Sequence, residues 1–257
     1  MGDVALQVGA RGGVTRRTRV AEDGPLRVRF PGTDGSNLEA MIVNTAGGIA
    51  GGDRHAIDIA AGEGARLVVT TAAAEKVYRS LGPEAEIEVG LTVEANAHIA
   101  WLPQETILFD RARLARRIDV DLAEGASLLM AEAVVFGRSA MAETVDEGFL
   151  SDRWRIRRGG RLLLAETMRF DGPVSRKLME PAATRGSVAF ATVLAVPGDE
   201  AAVERVRAQS FSSEVGISAW NGLAVARLCA KDGAALRGDL AAVLTALGGE
   251  LPRLWLN

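Results

Sequence analysis

Two glutamates, Glu132 and Glu166, are the side chains of this sequence whose type and spacing are best suited to chemistry. Each falls at the same place in a weak repeat, in line with positions that carry apolar residues. Burying an ionised carboxylate without partners is costly, so glutamates there must be paired, protonated or in contact with water. The spacing therefore predicts an internal polar passage to which Glu132 and Glu166 contribute, with Asp53 and Glu105 as further members. The open alternative is that each strand ends at its glutamate, which then emerges into solvent.

A pair of carboxylates also suits general acid–base catalysis. In glycoside hydrolysis the two groups lie about 5 to 10 Å apart across a cleft, and stacked strands would bring Glu132 and Glu166 near each other. A second hypothesis is therefore a β-solenoid enzyme that acts on an anionic or sugar substrate. Few aromatic side chains are available as sugar platforms, since Phe, Trp and Tyr make up 5% of the chain.

Histidine and cysteine are too few for most other catalytic or metal sites. The sequence has no G-x-S-x-G nucleophile elbow, and its only candidate bases of this kind are His55 and His98. His98 lies on the polar side of its predicted strand, which favours a surface position. His55 follows a glycine turn, where an ordinary loop histidine is favoured over a transient metal or proton ligand. The single Cys229 excludes an internal disulfide, and no C-x-x-C or H-E-x-x-H motif offers a permanent soft-metal site.

The composition is that of an ordinary soluble protein from a reducing compartment. The 257 residues are 48% hydrophobic and carry a formal charge of -3, which gives no whole-molecule attraction to nucleic acid or to an anionic membrane. The sequence has neither a secretory signal pattern nor an apolar run long enough to span a bilayer, so we expect a cytoplasmic protein. No linker rich in proline, serine or charge divides the chain, and we expect a single domain over residues 1–257.

Paired glycines dominate the segment of residues 44–53. Gly47-Gly48 and Gly51-Gly52 match neither a P-loop, which needs Lys and Ser or Thr directly after its last glycine, nor a dinucleotide-binding turn. Without a Cβ atom these residues can take a positive φ or let another chain segment approach closely, and Asp53 can hydrogen-bond its own turn. The segment therefore predicts a tight loop between two strands.

A weak repeat of about thirty residues runs through the middle of the chain. Strands with alternating polar and apolar residues are predicted at residues 56–59, 86–93 and 117–122, and each is followed by a turn and another strand. The turns align on Gly64, Asn96, Gly125 and Gly159, which are 32, 29 and 34 residues apart. Repeats of this size stack one supersecondary unit on the next, so we expect stacked β layers close to a β-solenoid.

The same alignment predicts which side chains face inward, because residues two apart on a strand share a side. The predicted inward positions form three rows: Leu67, Ile99, Leu128 and Leu162; then Val69, Trp101, Met130 and Leu164; then Thr71, Pro103, Glu132 and Glu166. The two glutamates are therefore expected at equivalent places in different layers.

The C-terminal part of the sequence has a different pattern. Helices are predicted over residues 200–209, with Asp199 as the N-cap, and over residues 234–247, ended by Gly248-Gly249. A strand is predicted between them, over residues 222–228. The expected fold is mainly β, with a stacked-strand body over about residues 25–196 and a mixed α/β part over about residues 197–257.

Two arginine-rich segments allow a nucleic-acid hypothesis. They contain Arg111, Arg113, Arg116 and Arg117, and then Arg153, Arg155, Arg157 and Arg158. On a strand, however, alternate arginines share one face, and Trp154 and Ile156 would lie on the other. We therefore favour a solvated strand surface or a protein-partner patch with Trp154 as its anchor.

Five separated blocks of sequence carry a family resemblance. They are NTAGGIAGGD at 44–53, TTAAAEKVYRS at 70–80, WLPQE at 101–105, FGR at 136–138 with Glu143-Thr144, and LPRLW at 251–255. The first two blocks contain Gly47, Gly48, Gly51, Gly52, Thr70, Thr71, Lys76, Tyr78 and Arg79. In this order, and over nearly the whole chain, the blocks resemble the UreD family of urease accessory proteins, called UreH in some systems. The chain departs from the family at Ala72, where glutamine is common.

The resemblance implies a non-enzymatic metallochaperone scaffold built as a β-helix-like stack of strands. It implies binding to the urease apoprotein and to UreF, and through UreF to the GTPase UreG, without nucleic-acid or membrane partners. Nickel(II) would be the transported ion, with no stably bound cofactor. The family's proposed internal tunnel has acidic positions that match Asp53, Glu132 and Glu166, with Glu105 as a weaker member. Spaced single carboxylates suit a conduit, because an ion must both enter it and leave it.

Overall fold

A computed structural model describes residues 1–32, 37–138, 141 and 143–255. In these ranges the strands β1 to β17 are, in chain order, Gly2–Arg11, Val14–Asp23, Leu26–Arg29, Leu38–Asn44, Arg54–Ala61, Arg66–Thr71, Glu75–Val77, Ala85–Val93, His98–Trp101, Thr106–Leu108, Arg113–Leu122, Ser127–Phe136, Glu147–Arg158, Arg161–Pro173, Ala189–Val196, Glu214–Trp220 and Leu223–Ala230. The helices are α1 (Val174–Leu178), α2 (Glu200–Arg207) and α3 (Gly233–Ala246), and a short 3-10 turn follows at Arg253–Trp255.

The strands form two sheets that face each other, and the chain passes between them as a β-solenoid of about four turns. The first sheet has the strand order β14-β13-β11-β8-β5-β1-β2, and the second has β16-β17-β15-β12-β9-β6-β4-β3, with β10 pairing both β12 and β7. The chain crosses from the first sheet to the second between β5 and β6, between β8 and β9, and between β11 and β12, and successive copies pair in parallel. The prediction of a mainly β, solenoid-like fold is confirmed.

The predicted repeat is confirmed in its first three copies. The inward positions of β6, β9 and β12 are in register, with Leu67, Ile99 and Leu128 in one row and Val69, Trp101 and Met130 in the next. All six side chains are buried in the apolar cluster between the two sheets. Alternate apolar residues therefore stack from one turn of the solenoid to the next, as the two-residue period of a strand requires.

The prediction of a fourth copy of the repeat is wrong. The turn at Gly159-Gly160 joins β13 to β14 as an antiparallel hairpin within the first sheet, so the chain does not cross to the second sheet there. Both glycines have a positive φ, which suits a tight hairpin turn. The register also shifts between Ile156 and Arg157, and Leu162 is consequently 49% exposed, whereas Leu164 is buried as expected.

Helices α2 and α3 pack on the outer face of the second sheet, and both were predicted. Asp199 caps α2 by accepting a hydrogen bond from the Ala202 amide at 2.8 Å, and Asp232 caps α3 by accepting one from the Ala235 amide at 2.8 Å. Because helices cover the outer face and the first sheet covers the inner face, strand β15 is buried along its whole length. The five-residue helix α1 is too short to show a helical period and has no counterpart among the predicted elements.

The arginine-rich strand β13 has the predicted alternation, with Arg153 exposed and Trp154 buried. Trp154 points into the core, so its predicted function as the anchor of a surface patch is wrong. Arg116, on the neighbouring strand β11, is also buried and cannot contact nucleic acid at the surface. No helix in the described ranges is long and apolar enough to span a membrane.

Candidate functional site

A cavity of about 250 Å³ lies between the two sheets, near the end of the stack that is formed by the loop blocks 44–53 and 70–80. Its polar lining consists of Asn44, His55, Thr71, Glu75, Lys76, Gln104, Thr106, Arg116 and Glu132. The lining also includes the exposed residues Gly47 and Ala73, so the cavity reaches the surface at these two loops. The volume is enough for several water molecules.

At the inner end of the cavity, one arginine lies between two acidic side chains. Arg116 projects inward from β11, and its Nη1 donates a hydrogen bond to Oε2 of Glu132, which projects from β12 in the opposite sheet. Its Nη2 donates to Oδ2 of Asp152 on β13 at 2.5 Å. All three side chains are 4% exposed. We call Arg116, Glu132 and Asp152 the buried triad.

Two tryptophans and a threonine add hydrogen bonds to the buried triad, in which Arg116 Nε is buried without a hydrogen-bond partner among the described residues. Trp101 Nε1 donates to Oε1 of Glu132 at 2.7 Å, and Trp154 Nε1 donates to Oδ1 of Asp152 at 3.0 Å. Arg116 Nη1 also donates to Thr106 Oγ1 at 3.2 Å. Every carboxylate oxygen of the triad therefore has a donor, which is the condition under which buried charges are tolerated.

Burial and the opposing charges compete in the electrostatics of the triad. Burial raises the pKa of Glu132 to about 7, against the opposing effect of the Arg116 guanidinium. Burial also disfavours the charged form of Arg116, but the facing carboxylates of Asp152 and Glu132 raise the pKa of the guanidinium above its ordinary value. With both carboxylates ionised, two negative charges face one positive charge, so the triad has a net charge of one negative unit.

A second carboxylate in the cavity, Glu75, was not predicted as a site residue. Both of its oxygens accept hydrogen bonds from Asn44 Nδ2, at 3.1 and 3.2 Å. Burial raises the pKa of Glu75 to about 7. Glu75 lies nearer the loops than Glu132, because its neighbour Lys76 is exposed at the cavity opening.

The four carboxylates predicted for the passage occupy different places, and of these only Glu132 lines the cavity. Asp53 accepts a hydrogen bond from the Ala50 amide at 2.8 Å and so closes the glycine-rich turn. Glu105 pairs with Arg237 of α3 at 3.1 Å, beside the outer face of the second sheet.

Glu166 lies between the two sheets, but at their far edge. Its Oε2 accepts a hydrogen bond from Arg227 Nη2 on β17 at 2.7 Å. In the second sheet, Glu132 is aligned with Thr192 on β15, and Thr192 with Arg227. A row of polar side chains thus connects the buried triad with the Glu166 pair along the inner face.

The two histidines differ from their predicted environments. His55 lies in strand β5 rather than in a loop, and its side chain is buried and lines the cavity. Burial lowers the pKa of His55, while Asp53 partly offsets this effect. His98 is half-buried, and its Nδ1 is 2.8 Å from Ser127 Oγ on the next turn of the solenoid. Burial, followed by the charge of Arg66, lowers the pKa of His98 to about 4.

The glycine-rich loop and the tyrosine of the second block fit together at the cavity opening. A Cβ atom on Gly48 would lie 2.4 Å from Tyr78 Cε2, and one on Gly51 would lie 2.1 Å from Ser80 Oγ. The Tyr78 hydroxyl donates to the Gly47 carbonyl at 2.9 Å. Glycine is therefore needed at 48 and 51 because residues 78–80 approach the backbone closely.

Other residues of the second block support the same end of the stack. Thr71 Oγ1 accepts a hydrogen bond from the Gln104 amide at 2.9 Å and donates to the Ala73 carbonyl at 3.0 Å. Thr70 is fully buried on the opposite side of β6. Arg79 is exposed and pairs through its backbone with Ala112.

The arrangement does not favour acid–base catalysis by Glu132 and Glu166. Each is paired with a different arginine, and Glu166 lies outside the cavity. Among the described residues, no group of three or more histidine, cysteine, aspartate or glutamate side chains is arranged to hold a metal ion. The cavity instead offers separate carboxylates, Glu75 and Glu132, along a space wide enough for water.

Comparison with known proteins gives consistent matches along the full chain. The family model described as UreD urease accessory protein matches residues 1–256. The chain is 60% identical to the urease accessory protein UreD of Rhodopseudomonas palustris strain BisA53, an alignment that covers 100% of this chain and 91% of the relative. It is 59% identical to urease accessory protein UreD 3 of Bradyrhizobium sp. strain BTAi1 and 57% identical to the UreD protein of Bradyrhizobium diazoefficiens strain USDA 110, covering 100% of this chain in both cases and 93% and 94% of the relatives.

Proposed function

Since the chain belongs to the UreD family of urease accessory proteins, we propose that it binds the urease apoprotein and assists delivery of nickel to the urease active site. As an accessory protein, it is not itself an enzyme. Its partners in this proposal are the urease structural subunits and UreF, with the GTPase UreG bound through UreF. The complex assembles in the cytoplasm, in keeping with the single free Cys229.

In this proposal nickel(II) is cargo that passes through the protein between the two sheets. The observation that supports this route is the cavity, which is large enough for several water molecules and has the carboxylate of Glu132 at its inner end. Nickel enters at the loops around Gly47 and Ala73, passes Glu75 and reaches Glu132. The polar row through Thr192 continues the route towards Glu166 at the far edge. Asp53 and Glu105 stabilise the surrounding loops and do not contact the ion.

A route of this kind needs weak, successive ion contacts. A transition metal binds tightly to closed sets of imidazoles and thiolates and more weakly to single carboxylates with water. Conduction requires that an ion is attracted enough to enter each position and held loosely enough to leave it. The half-buried Glu75 and the paired Glu132 meet this condition, because neither belongs to a group of metal ligands in the described part of the chain.

The test is nickel loading of urease co-expressed with the chain and the other accessory proteins. Glu132→Gln and Glu166→Gln, singly and together, should slow the gain of nickel and of urease activity, whereas the control Glu105→Gln should not, because Glu105 lies outside the cavity. Loading at the wild-type rate by the double variant would contradict the route. A pull-down of urease subunits by each variant distinguishes slowed nickel loading from loss of binding to urease. If the wild-type chain does not bind the urease subunits in this assay, the scaffold function itself is contradicted.

A further inference from the structure

The buried triad has the donor set of a metal site with an arginine in the position of the metal. Oε2 of Glu132 comes from one sheet and Oδ2 of Asp152 from the other, and both contact the same guanidinium. The hydroxyl of Thr106 contacts that guanidinium too, at 3.2 Å. Two carboxylates and a hydroxyl converging from three strands are oxygen ligands of the kind that hold divalent cations.

Without the guanidinium, these groups would attract a cation strongly. Two buried carboxylates would then face each other with no positive charge between them, and mutual repulsion and desolvation would both favour an incoming divalent ion. The cavity already connects this place with the surface. A divalent ion held there by both carboxylates would leave slowly, which is the opposite of what a route requires.

We propose that Arg116 is a specificity-determining residue that prevents Glu132 and Asp152 from trapping nickel. This inference rests on the proposed function, because it assigns Arg116 a part in nickel release along the same route. Arg116 donates to one oxygen of Asp152 and to one oxygen of Glu132, so a passing ion meets partly neutralised carboxylates instead of two free ones. The free lone pairs of the Glu132 carboxylate attract the ion, but Arg116 occupies the position from which Asp152 would act as a second ligand.

Arginine suits this function better than lysine for two reasons. Its planar fork donates from separate nitrogens, so Nη1 contacts Glu132 while Nη2 contacts Asp152. It also remains charged at any physiological pH, so that the position between the carboxylates is never vacated by deprotonation. A lysine at this position would keep the charge but hold the two carboxylates less rigidly.

The test is a gain of metal binding by the purified full-length chain. Arg116→Gln is incubated with nickel chloride, dialysed against metal-free buffer, and assayed for retained nickel by elemental analysis. We expect about one nickel ion per chain, and none with the wild type. Arg116→Lys is the matched control and should retain no nickel, because the positive charge remains. The double variant Arg116→Gln with Asp152→Asn should lose the gained binding, since one of the two carboxylates is removed.

Thermal unfolding with and without nickel chloride covers the case in which Arg116→Gln does not fold alone. Nickel should then restore a cooperative transition, because the ion replaces the missing charge. Failure of Arg116→Gln to retain nickel, or failure of nickel to restore its folding, would overturn the proposal.

Urease loading distinguishes this proposal from the route itself. If Arg116→Gln retains nickel and slows loading, the trap lies on the route. Retention of nickel with loading at the wild-type rate would place the triad off the route and overturn the assignment of Arg116. Wild-type loading by the Glu132→Gln and Glu166→Gln double variant would instead reject the route, whatever Arg116→Gln retains.

Discussion

Two glutamate–arginine pairs connect the facing sheets, one in the middle of the solenoid and one at its edge. In the buried triad, Arg116 and Glu132 are each 4% exposed. At the edge, the side chains of Arg227 and Glu166 are 57% and 26% exposed. The residue types are the same, but the environment differs between a water-poor core and a partly solvated margin. Position in the stack therefore decides whether breaking such a pair costs much or little of the free energy of unfolding.

The difference follows from the strands on either side. Strand β12 lies between β9 and β15, and the first sheet covers its inner face, so Glu132 is shielded from bulk solvent apart from the cavity that it lines. Strand β14 is the last strand of the first sheet, and Glu166 therefore has an open margin beside it. A buried guanidinium must be matched by carboxylates, whereas an exposed one can be matched by water.

The largest expected effect is the difference between removing the two arginines. Arg116→Leu should lower the free energy of unfolding by about 3–5 kcal/mol, because it leaves two buried carboxylates without a counter-charge. The matched change Arg227→Leu should cost about 1 kcal/mol or less, since water can solvate Glu166. Urea denaturation of both variants in metal-free buffer measures the difference. Equal losses would show that burial does not separate the two pairs.

A neutral replacement of the whole triad should recover most of that loss. In the triple variant Arg116→Met, Glu132→Gln and Asp152→Asn, the amide oxygens can still accept hydrogen bonds from Trp101 and Trp154, and no buried charge remains. We expect a free energy of unfolding within about 2 kcal/mol of the wild type. The same denaturation assay tests this, and a triple variant no more stable than Arg116→Leu would contradict uncompensated buried charge as the cause of that loss.

The sequence predicts the two pairs to different extents, because β12 belongs to the regular repeat and β14 does not. The two-residue period of β12 places Glu132 inside, next to Met130, and that prediction is correct. The same period holds for Arg116, which shares one face of β11 with the buried Leu114 and Ile118. The sequence therefore contained a signal that Arg116 is buried, although the prediction grouped it with the arginines of a charged surface. Alternation identifies an inward residue, but it does not identify the partner on the opposite sheet.

The partner of Glu166 could not be predicted from the sequence for a further reason. A glycine-containing turn is compatible with either a crossing to the other sheet or a hairpin in the same sheet, and the alignment on Gly159 assumed a crossing. The hairpin places β14 opposite β17, which brings Glu166 to Arg227, 61 residues away in sequence. Spacing within a repeat carries no information about such a contact, since it depends on tertiary arrangement.

Glu75 extends the comparison of buried and exposed glutamates to a half-buried one. Its hydrogen-bond partner is Asn44 instead of an arginine. Burial raises its pKa to about 7, so between its ordinary pKa and 7 the folded chain keeps a proton that the unfolded chain releases. Stability supplied by this proton is lost as the pH rises from 5 to 8, by roughly 1–3 kcal/mol.

In Glu75→Gln this loss should be absent, and the difference in unfolding free energy between variant and wild type should grow with pH over the same range. Urea denaturation at pH 5, 6, 7 and 8 measures it. The control is Glu84→Gln, because Glu84 is partly exposed and its hydrogen bond from Arg113 lowers its pKa, which gives no change over this pH range. A pH-independent difference for Glu75→Gln would contradict burial as the cause.

The smallest expected effect is the coupling between Glu166 and Arg227. A double-mutant cycle with Glu166→Gln and Arg227→Gln should give a coupling energy of about 0.2–1 kcal/mol, because the pair is partly solvated. Raising the salt concentration should reduce that value towards zero, since exposed charges are screened. The same cycle for Glu132→Gln and Arg116→Gln should give a larger coupling that salt changes less, because both side chains are 4% exposed and are surrounded mostly by protein rather than by electrolyte. A coupling in the buried triad as salt-sensitive as that between Glu166 and Arg227 would contradict the difference in burial between the two pairs.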